Sequence, residues 1–241
     1  MRRGQLIFRP GPVPTVAMLI AVPVFCALGA WQLERAADKR ELRERLDARW
    51  DAPAVPLPAR PDWKALEHGR VTLTGRYVDD REFTVGDRVR QGRRGLHVIT
   101  PLQDADGRDL LVNRGWVAAP GDATEPPAAE VTLTGRIALP QPPALELGPA
   151  EPASEPWRAP WSRLDPGAYA RVAGVAPLPA VLLLDPDQPD GFVRDWPRPT
   201  GGLAPALHLG YALQWFAFAV IALLLWLRHA FHRAAPGGNP A

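Results

Sequence analysis

Two long apolar segments dominate the pattern of hydrophobic and polar positions along the chain. One runs from Pro12 to Trp31 and the other from about Leu203 to Leu227, and neither contains Asp, Glu, Lys or Arg. About 20 apolar residues cross the hydrocarbon core of a bilayer as a helix, and a helix satisfies its own backbone hydrogen bonds in lipid. We therefore predict transmembrane helices over residues 12–33 and 203–227, the first kinked at Pro23.

Basic residues flank both segments on their terminal sides. Arg2, Arg3 and Arg9 precede the first segment, Arg228 and Arg233 follow the second, and neither tail contains an acid. Because positive flanks stay in the cytoplasm, this pattern predicts that the tails, residues 1–11 and 228–241, are both cytoplasmic. A cleaved signal peptide is the alternative for the first segment, but that segment is longer than a usual signal core.

Between the helices, residues 34–202 should form one domain on the other face of the membrane. Residues 34–50 lack Gly and Pro and continue the first helix, with Leu42, Leu46 and Trp50 along one face. Residues 51–62 form a proline-rich connector.

Residues 63–202 alternate apolar and polar positions in short runs separated by turn residues, as in RVTLTGRYV and GLHVITPL, which predicts half-buried strands. Asp165 should cap a short helix that begins at Pro166. VTLTGR occurs twice, at 71–76 and 131–136, and we interpret the copies as two edges of one sheet. The expected fold is an α+β membrane protein whose mostly antiparallel β domain is barrel- or sandwich-like.

Composition and motifs exclude several classes of function. The single cysteine, Cys26, excludes an internal disulfide, and it lies in the first apolar segment. The chain lacks the nucleophile, phosphate-loop and zinc-protease motifs of common enzymes, so we expect no catalytic activity. Most of the basic excess lies in the tails, which indicates membrane topology and no nucleic-acid partner.

His208 is an ionisable residue just inside the second apolar segment, roughly 7–8 Å from its start at 1.5 Å per residue. Tyr211 and Trp215 lie on the same helical face within about 60°. One interpretation is an interfacial belt of polar and aromatic side chains. The others are a haem-iron ligand and a hydrogen bond between helices.

Three stretches resemble the surfeit locus protein 1 family, in the same order and with the same architecture. They are LGAWQLERAADK (Leu28–Lys39), LVNRGWV (Leu111–Val117) and HLGYALQWFAFA (His208–Ala219). The resemblance implies an assembly factor for haem–copper terminal oxidases, chiefly cytochrome c oxidase, in the bacterial inner membrane with a periplasmic domain. It implies partnership with the catalytic subunit of the oxidase, and haem a synthase is a second candidate partner.

The resemblance also implies transient, non-covalent binding of haem a, with His208 matching the family's axial ligand to the iron. Tyr211 and Trp215 are then candidates for the haem pocket. In NRGWV, Arg114 and Trp116 form a docking spot for the partner, or Arg114 binds a haem propionate, or the motif only shapes a bend. The alternative function is a scaffold that stabilises the nascent oxidase subunit without binding haem.

Overall fold

A computed structural model describes residues 6–119, 125–141, 148–150, 156–188, 192–200, 202 and 204–233. The chain forms two compact units. The helical unit comprises Met1–Leu46 and Thr200–Ala241, and the β domain comprises Asp47–Pro199. Arg2, Arg3, Leu203 and much of the proline-rich segment at 140–160 lie outside the described residues.

Four helices and nine strands follow one another along the described residues: β1 (Leu6–Phe8), α1 (Pro12–Trp50), β2 (Val55–Pro56), α2 (Trp63–Leu66), β3 (Arg70–Tyr77), β4 (Phe83–Arg90), β5 (Arg93–Gln103), β6 (Asp109–Val117), β7 (Val131–Ala138), α3 (Pro166–Ala173), β8 (Val181–Leu184), α4 (Pro205–Ala230) and β9 (Phe231–Arg233). A 3₁₀ turn at Asp79–Arg81 joins β3 to β4. Two long apolar helices therefore flank a domain of strands, which confirms the predicted fold class.

In the helical unit, α1 and α4 pack against each other along one stripe of each helix. The less exposed positions recur at alternating spacings of three and four residues: Thr15, Met18, Val22, Phe25, Gly29, Gln32 and Ala36 in α1, and His208, Ala212, Trp215, Ala219, Ala222 and Trp226 in α4. This spacing is the seam of an antiparallel coiled coil. We call it the α1–α4 seam.

Away from the seam, both helices expose large apolar side chains. Leu19 and Ile20 of α1 are 61% and 60% exposed, and Leu213 of α4 is 72% exposed. Both helices are long and apolar enough to span a membrane. A soluble protein would bury such a surface, so the exposure supports a membrane protein. β1 pairs antiparallel with β9, so residues 6–8 and 231–233 lie together at one end of the helical unit.

The β domain contains one seven-stranded sheet in the order β2-β3-β7-β8-β6-β5-β4. Its pairings are antiparallel except for β2 with β3 and β6 with β8. The end of β3 also pairs with β5, through Arg76↔Gln103 and Tyr77↔Leu102. This short contact curls the sheet without closing it into a barrel.

The two VTLTGR copies lie in β3 and β7, which pair directly with each other, with Leu73 opposite Leu133. The prediction that they form two edges of the sheet was therefore wrong. Both copies have the same alternation of threonine and leucine. When they pair, the threonines therefore face each other on one side of the sheet and the leucines pack together on the other side. Thr74 and Thr132 hydroxyls lie 2.9 Å apart.

Both faces of the curled sheet are packed. One face carries an aliphatic cluster that includes Leu102, Val112 and Leu182. The other carries Phe83, which packs against Trp161 and against Tyr169 of α3. The capped start of α3 is confirmed: the Asp165 carboxylate accepts from the backbone N–H groups of Gly167 and Ala168 at 2.8 and 3.0 Å.

Candidate functional site

His208 lies in the first turn of α4, where its imidazole meets a polar side chain of α1. Its Nδ1 is 2.9 Å from Oε1 of Gln32. An amide oxygen only accepts hydrogen bonds, so Nδ1 carries the ring proton. In the neutral ring, Nε2 then keeps its lone pair and has the form of a metal ligand.

The second ring nitrogen, Nε2 of His208, is buried and has no hydrogen-bond partner among the described residues. Leaving a buried polar atom unpaired costs about 1–3 kcal/mol. Such an exception in a folded protein calls for a partner beyond the protein atoms, and an ion, a ligand or a water molecule can supply one. An imidazole oriented in this way has the chemistry of a ligand for a haem iron.

Aromatic rings continue the seam two helical turns away from His208. Trp215, two turns further along α4, stacks on Phe25 of α1 with ring centroids 5.8 Å apart and an interplanar angle of 25°. Phe218 meets the same indole edge-on at 5.8 Å. These rings form an apolar wall suited to a flat macrocycle.

The structure does not bring all three predicted haem residues together. His208 and Trp215 lie in the seam, whereas Tyr211 is 52% exposed on the outer surface of α4. Gln32 and Phe25 are the residues that sequence reasoning missed. Gln32 carried a signal, because it is a polar residue at the end of an apolar segment, but its partner is 176 positions away.

The far end of the seam holds a second polar contact between the helices. The indole N–H of Trp226 donates to the hydroxyl of Thr15 at 3.0 Å. His229 lies nearby on the exposed surface, where its Nδ1 is 2.8 Å from the carbonyl oxygen of Leu225 in the same helix. The described residues contain no cluster of three or more His, Cys, Asp or Glu side chains able to hold a metal ion.

In the β domain, Arg114 lies at a β-bulge of β6 and points into the interior. Val98 pairs with Gly115 while Ile99 pairs with Asn113, which leaves Arg114 as the extra residue. Its guanidinium is fully buried, donates to the Glu82 carboxylate at 2.9 Å and lies 4.6 Å from the Phe192 ring centroid. This geometry favours shaping of the fold over contact with a partner.

Trp116 follows the bulge and is also largely buried. Its indole N–H donates to the carbonyl oxygen of Arg88 at 2.8 Å. The ring lies against Gly95, where an added Cβ would come within 2.4 Å of it. Gly115 has φ 133°, and an added Cβ there would lie 2.8 Å from the Val193 carbonyl oxygen. The backbone conformation therefore requires glycine at Gly115, and the close approach of the indole requires it at Gly95.

Comparison with known proteins gives the chain a family. The model of the SURF1 family matches residues 19–220, which include both sides of the α1–α4 seam and the whole β domain. The chain belongs to the SURF1 family.

Relatives within the SURF1 family come from distant organisms. Surfeit locus protein 1 of Homo sapiens is 31% identical over 246 residues, covering 92% of this chain and 78% of that protein. A SURF1-like protein of Monosiga brevicollis is 30% identical over 234 residues, covering 87% and 85%. A SURF1-like protein of Mycobacterium bovis, described as uncharacterized, is 28% identical over 240 residues, covering 92% and 84%. The resemblance expected from the three motifs is thereby confirmed.

Proposed function

We propose that the protein is a membrane assembly factor for a haem–copper terminal oxidase, cytochrome c oxidase, and that it binds haem a and assists its insertion into the catalytic subunit. One observation carries the haem part of this proposal. The imidazole of His208 is oriented by Gln32, and its Nε2 is buried without a partner among the described residues. Membership of the SURF1 family supports the assembly part.

The residues around His208 fit the cofactor. When bound, haem a would supply an iron that a neutral imidazole can ligate, and His208 would hold it. Gln32 holds the ring in the tautomer that frees Nε2, as the hydrogen-bond partners of metal-bound histidines do. Phe25 and Trp215, which stack on each other two turns further along the seam, would offer an apolar surface to the macrocycle.

The same geometry favours reversible binding. A single histidine ligand holds the iron less permanently than several ligands would, and the chain lacks the Cys-x-x-Cys-His motif of covalent haem attachment. Because Nε2 is buried, His208 would become available to the iron only where α1 and α4 separate beside Gln32. The protein would then act as a carrier without turnover chemistry.

The proposed setting is the bacterial inner membrane. Basic residues flanking α1 and α4, such as Arg9 and Arg228, favour cytoplasmic tails. The β domain would then lie in the periplasm. The proposed partners are the catalytic subunit of the oxidase and haem a synthase, both of which handle haem a.

The scaffold function is the second candidate, and the Gln32–His208 hydrogen bond itself favours it. Two polar side chains that meet between membrane helices can serve helix association alone. In that case the seam would be complete as it stands, and the protein would only stabilise the nascent oxidase subunit.

Complementation separates the two functions. A bacterium that makes cytochrome c oxidase but lacks its own SURF1 member would receive the wild-type chain, His208→Ala or His229→Ala. The haem-carrier function predicts that wild type and His229→Ala restore haem a in the oxidase, while His208→Ala, present at equal level in the membrane, loses most of this activity. Full restoration by His208→Ala would support the scaffold.

A further inference from the structure

The β domain contains a cleft that none of the proposed roles uses. It has a volume of about 520 Å³ and is lined by the end of β4, by His97 and Trp116, and by the segment that contains Trp196. This volume is within the range of small-molecule sites, roughly 300–1,000 Å³. We call it the β4 cleft.

Arg88 places in the β4 cleft a cation that is not paired with a carboxylate of the described residues. Its Nε is buried and has no hydrogen-bond partner among the described residues, which also show no ion pair for its guanidinium. The neighbouring Arg90 is already paired, since its Nε donates to the carboxylate of Asp195 at 2.9 Å. Asp87, the other acid lining the cleft, is exposed.

His97 adds a neutral hydrogen-bond donor. The Asn113 side-chain oxygen accepts from the N–H of Gly115 at 3.2 Å, so its amide nitrogen faces Nδ1 of His97 at 3.1 Å. An amide N–H only donates, so Nδ1 accepts and the ring proton lies on Nε2. Burial, and then the positive charge of Arg88, lower the pKa of His97 to about 4, so the ring is neutral at pH 7.

Two indoles supply apolar walls. The N–H of Trp116 donates to the Arg88 carbonyl oxygen, and the N–H of Trp196 donates to the Leu184 carbonyl oxygen, each at 2.8 Å. Both polar atoms are therefore satisfied by backbone. The guanidinium carbon of Arg90 lies 5.9 Å from the ring centroid of Trp116, and the Trp196 ring meets His97 edge-on at 5.5 Å, so the exposed parts of both indoles that line the cleft are apolar.

The backbone of β4 is distorted at the cleft. A β-bulge lies between Val85 and Arg88, and Asp87 has φ 53°. Bulges commonly re-aim a side chain beside a functional site, and a non-glycine residue at positive φ carries strain that the surroundings must maintain.

We propose that the β4 cleft binds an organic carboxylate with a flat, apolar body. Arg88 and the Nε2–H of His97 donate to the carboxylate. The rings of Trp116 and Trp196 line the apolar body. The proposal is independent of the role of His208.

Calorimetric titration of the detergent-solubilised full-length protein tests this site, with 2-naphthoate as the probe and 2-naphthamide and acetate as comparisons. We expect saturable binding of naphthoate to one site. Naphthamide lacks the charge and acetate lacks the flat body, so each should bind at least about tenfold more weakly.

Variants then assign the binding to the cleft. Arg88→Gln should weaken naphthoate binding by about tenfold. Two control variants should leave naphthoate binding unchanged. They are Arg94→Gln, which changes an exposed arginine of β5 outside the cleft, and His208→Ala. Arg88→Lys keeps the charge and should retain a preference for naphthoate over naphthamide, with thermal unfolding verifying that each variant is folded. Absence of saturable binding, equal affinity for naphthamide, or unchanged binding by folded Arg88→Gln would overturn the proposal.

Discussion

At the scale of single residues, the Gln32–His208 pair explains how a histidine in an apolar helix can be kept ready for a metal. An isolated imidazole interconverts between two tautomers, and only one of them leaves Nε2 free. The Gln32 oxygen, 2.9 Å from Nδ1, selects that tautomer. A bound iron would then remove the free-energy cost of leaving the buried Nε2 unpaired.

This pairing predicts the effect of changing Gln32. Gln32→Leu keeps the side chain's size but removes the acceptor, so the affinity for haem a should fall by about tenfold or more. The matched control is Gln214→Leu, which removes an exposed amide from α4. Equilibrium titration of the haem-free proteins with haem a in detergent measures the affinities. Equal affinity of Gln32→Leu and wild type would show that Gln32 does not orient the ligand.

His208 and Arg114 show which residues could be recognised from the sequence and which could not. His208 could be found because a histidine stands out in an apolar segment. The burial of Arg114 could not be foreseen, since arginine is usually exposed. Its location depends on the bulge in β6 and on the rings of Tyr77 and Phe192 around it, which are distant in sequence.

At the scale of elements, the α1–α4 seam depends on small residues that let two helices approach. Gly29, Ala36, Ala212 and Ala219 are buried in it. Small residues at such positions allow close packing between membrane helices. At Gly29, an added Cβ would lie 2.7 Å from the ring of Phe216, so this contact leaves no room for a larger side chain.

The seam therefore predicts that the same substitution lowers stability at one position of α1 and has little effect at the next. Gly29→Leu should displace Phe216 and lower the thermal stability of the helical unit, by about 1–3 kcal/mol for an overpacked contact. Ala30→Leu places the same side chain on the exposed surface and should change little. Tryptophan fluorescence during heating of each variant in detergent reports the transition, because Trp215 and Trp226 lie in the seam. Similar midpoints for the two variants would contradict the close packing at Gly29.

At the scale of the whole molecule, the two apolar helices and the strand-rich middle could be predicted because each depends on a local pattern. The pairing of the VTLTGR copies could not, since a repeat identifies two similar strands but gives no information about which strands lie between them. The α1–α4 seam could not be predicted either, because most of its residues do not differ in polarity from those around them. Its three-four spacing becomes visible only when burial separates the seam from an equally apolar outer surface.

The central claim is that His208 is the protein ligand of haem a. The most direct measurement is the optical spectrum of the protein purified from cells that make haem a, comparing wild type, His208→Ala and His229→Ala. The account predicts a haem a spectrum in wild type and in His229→Ala, and its loss in folded His208→Ala. Retention of the spectrum by His208→Ala, or no haem in folded wild-type protein when haem a is available, would contradict it.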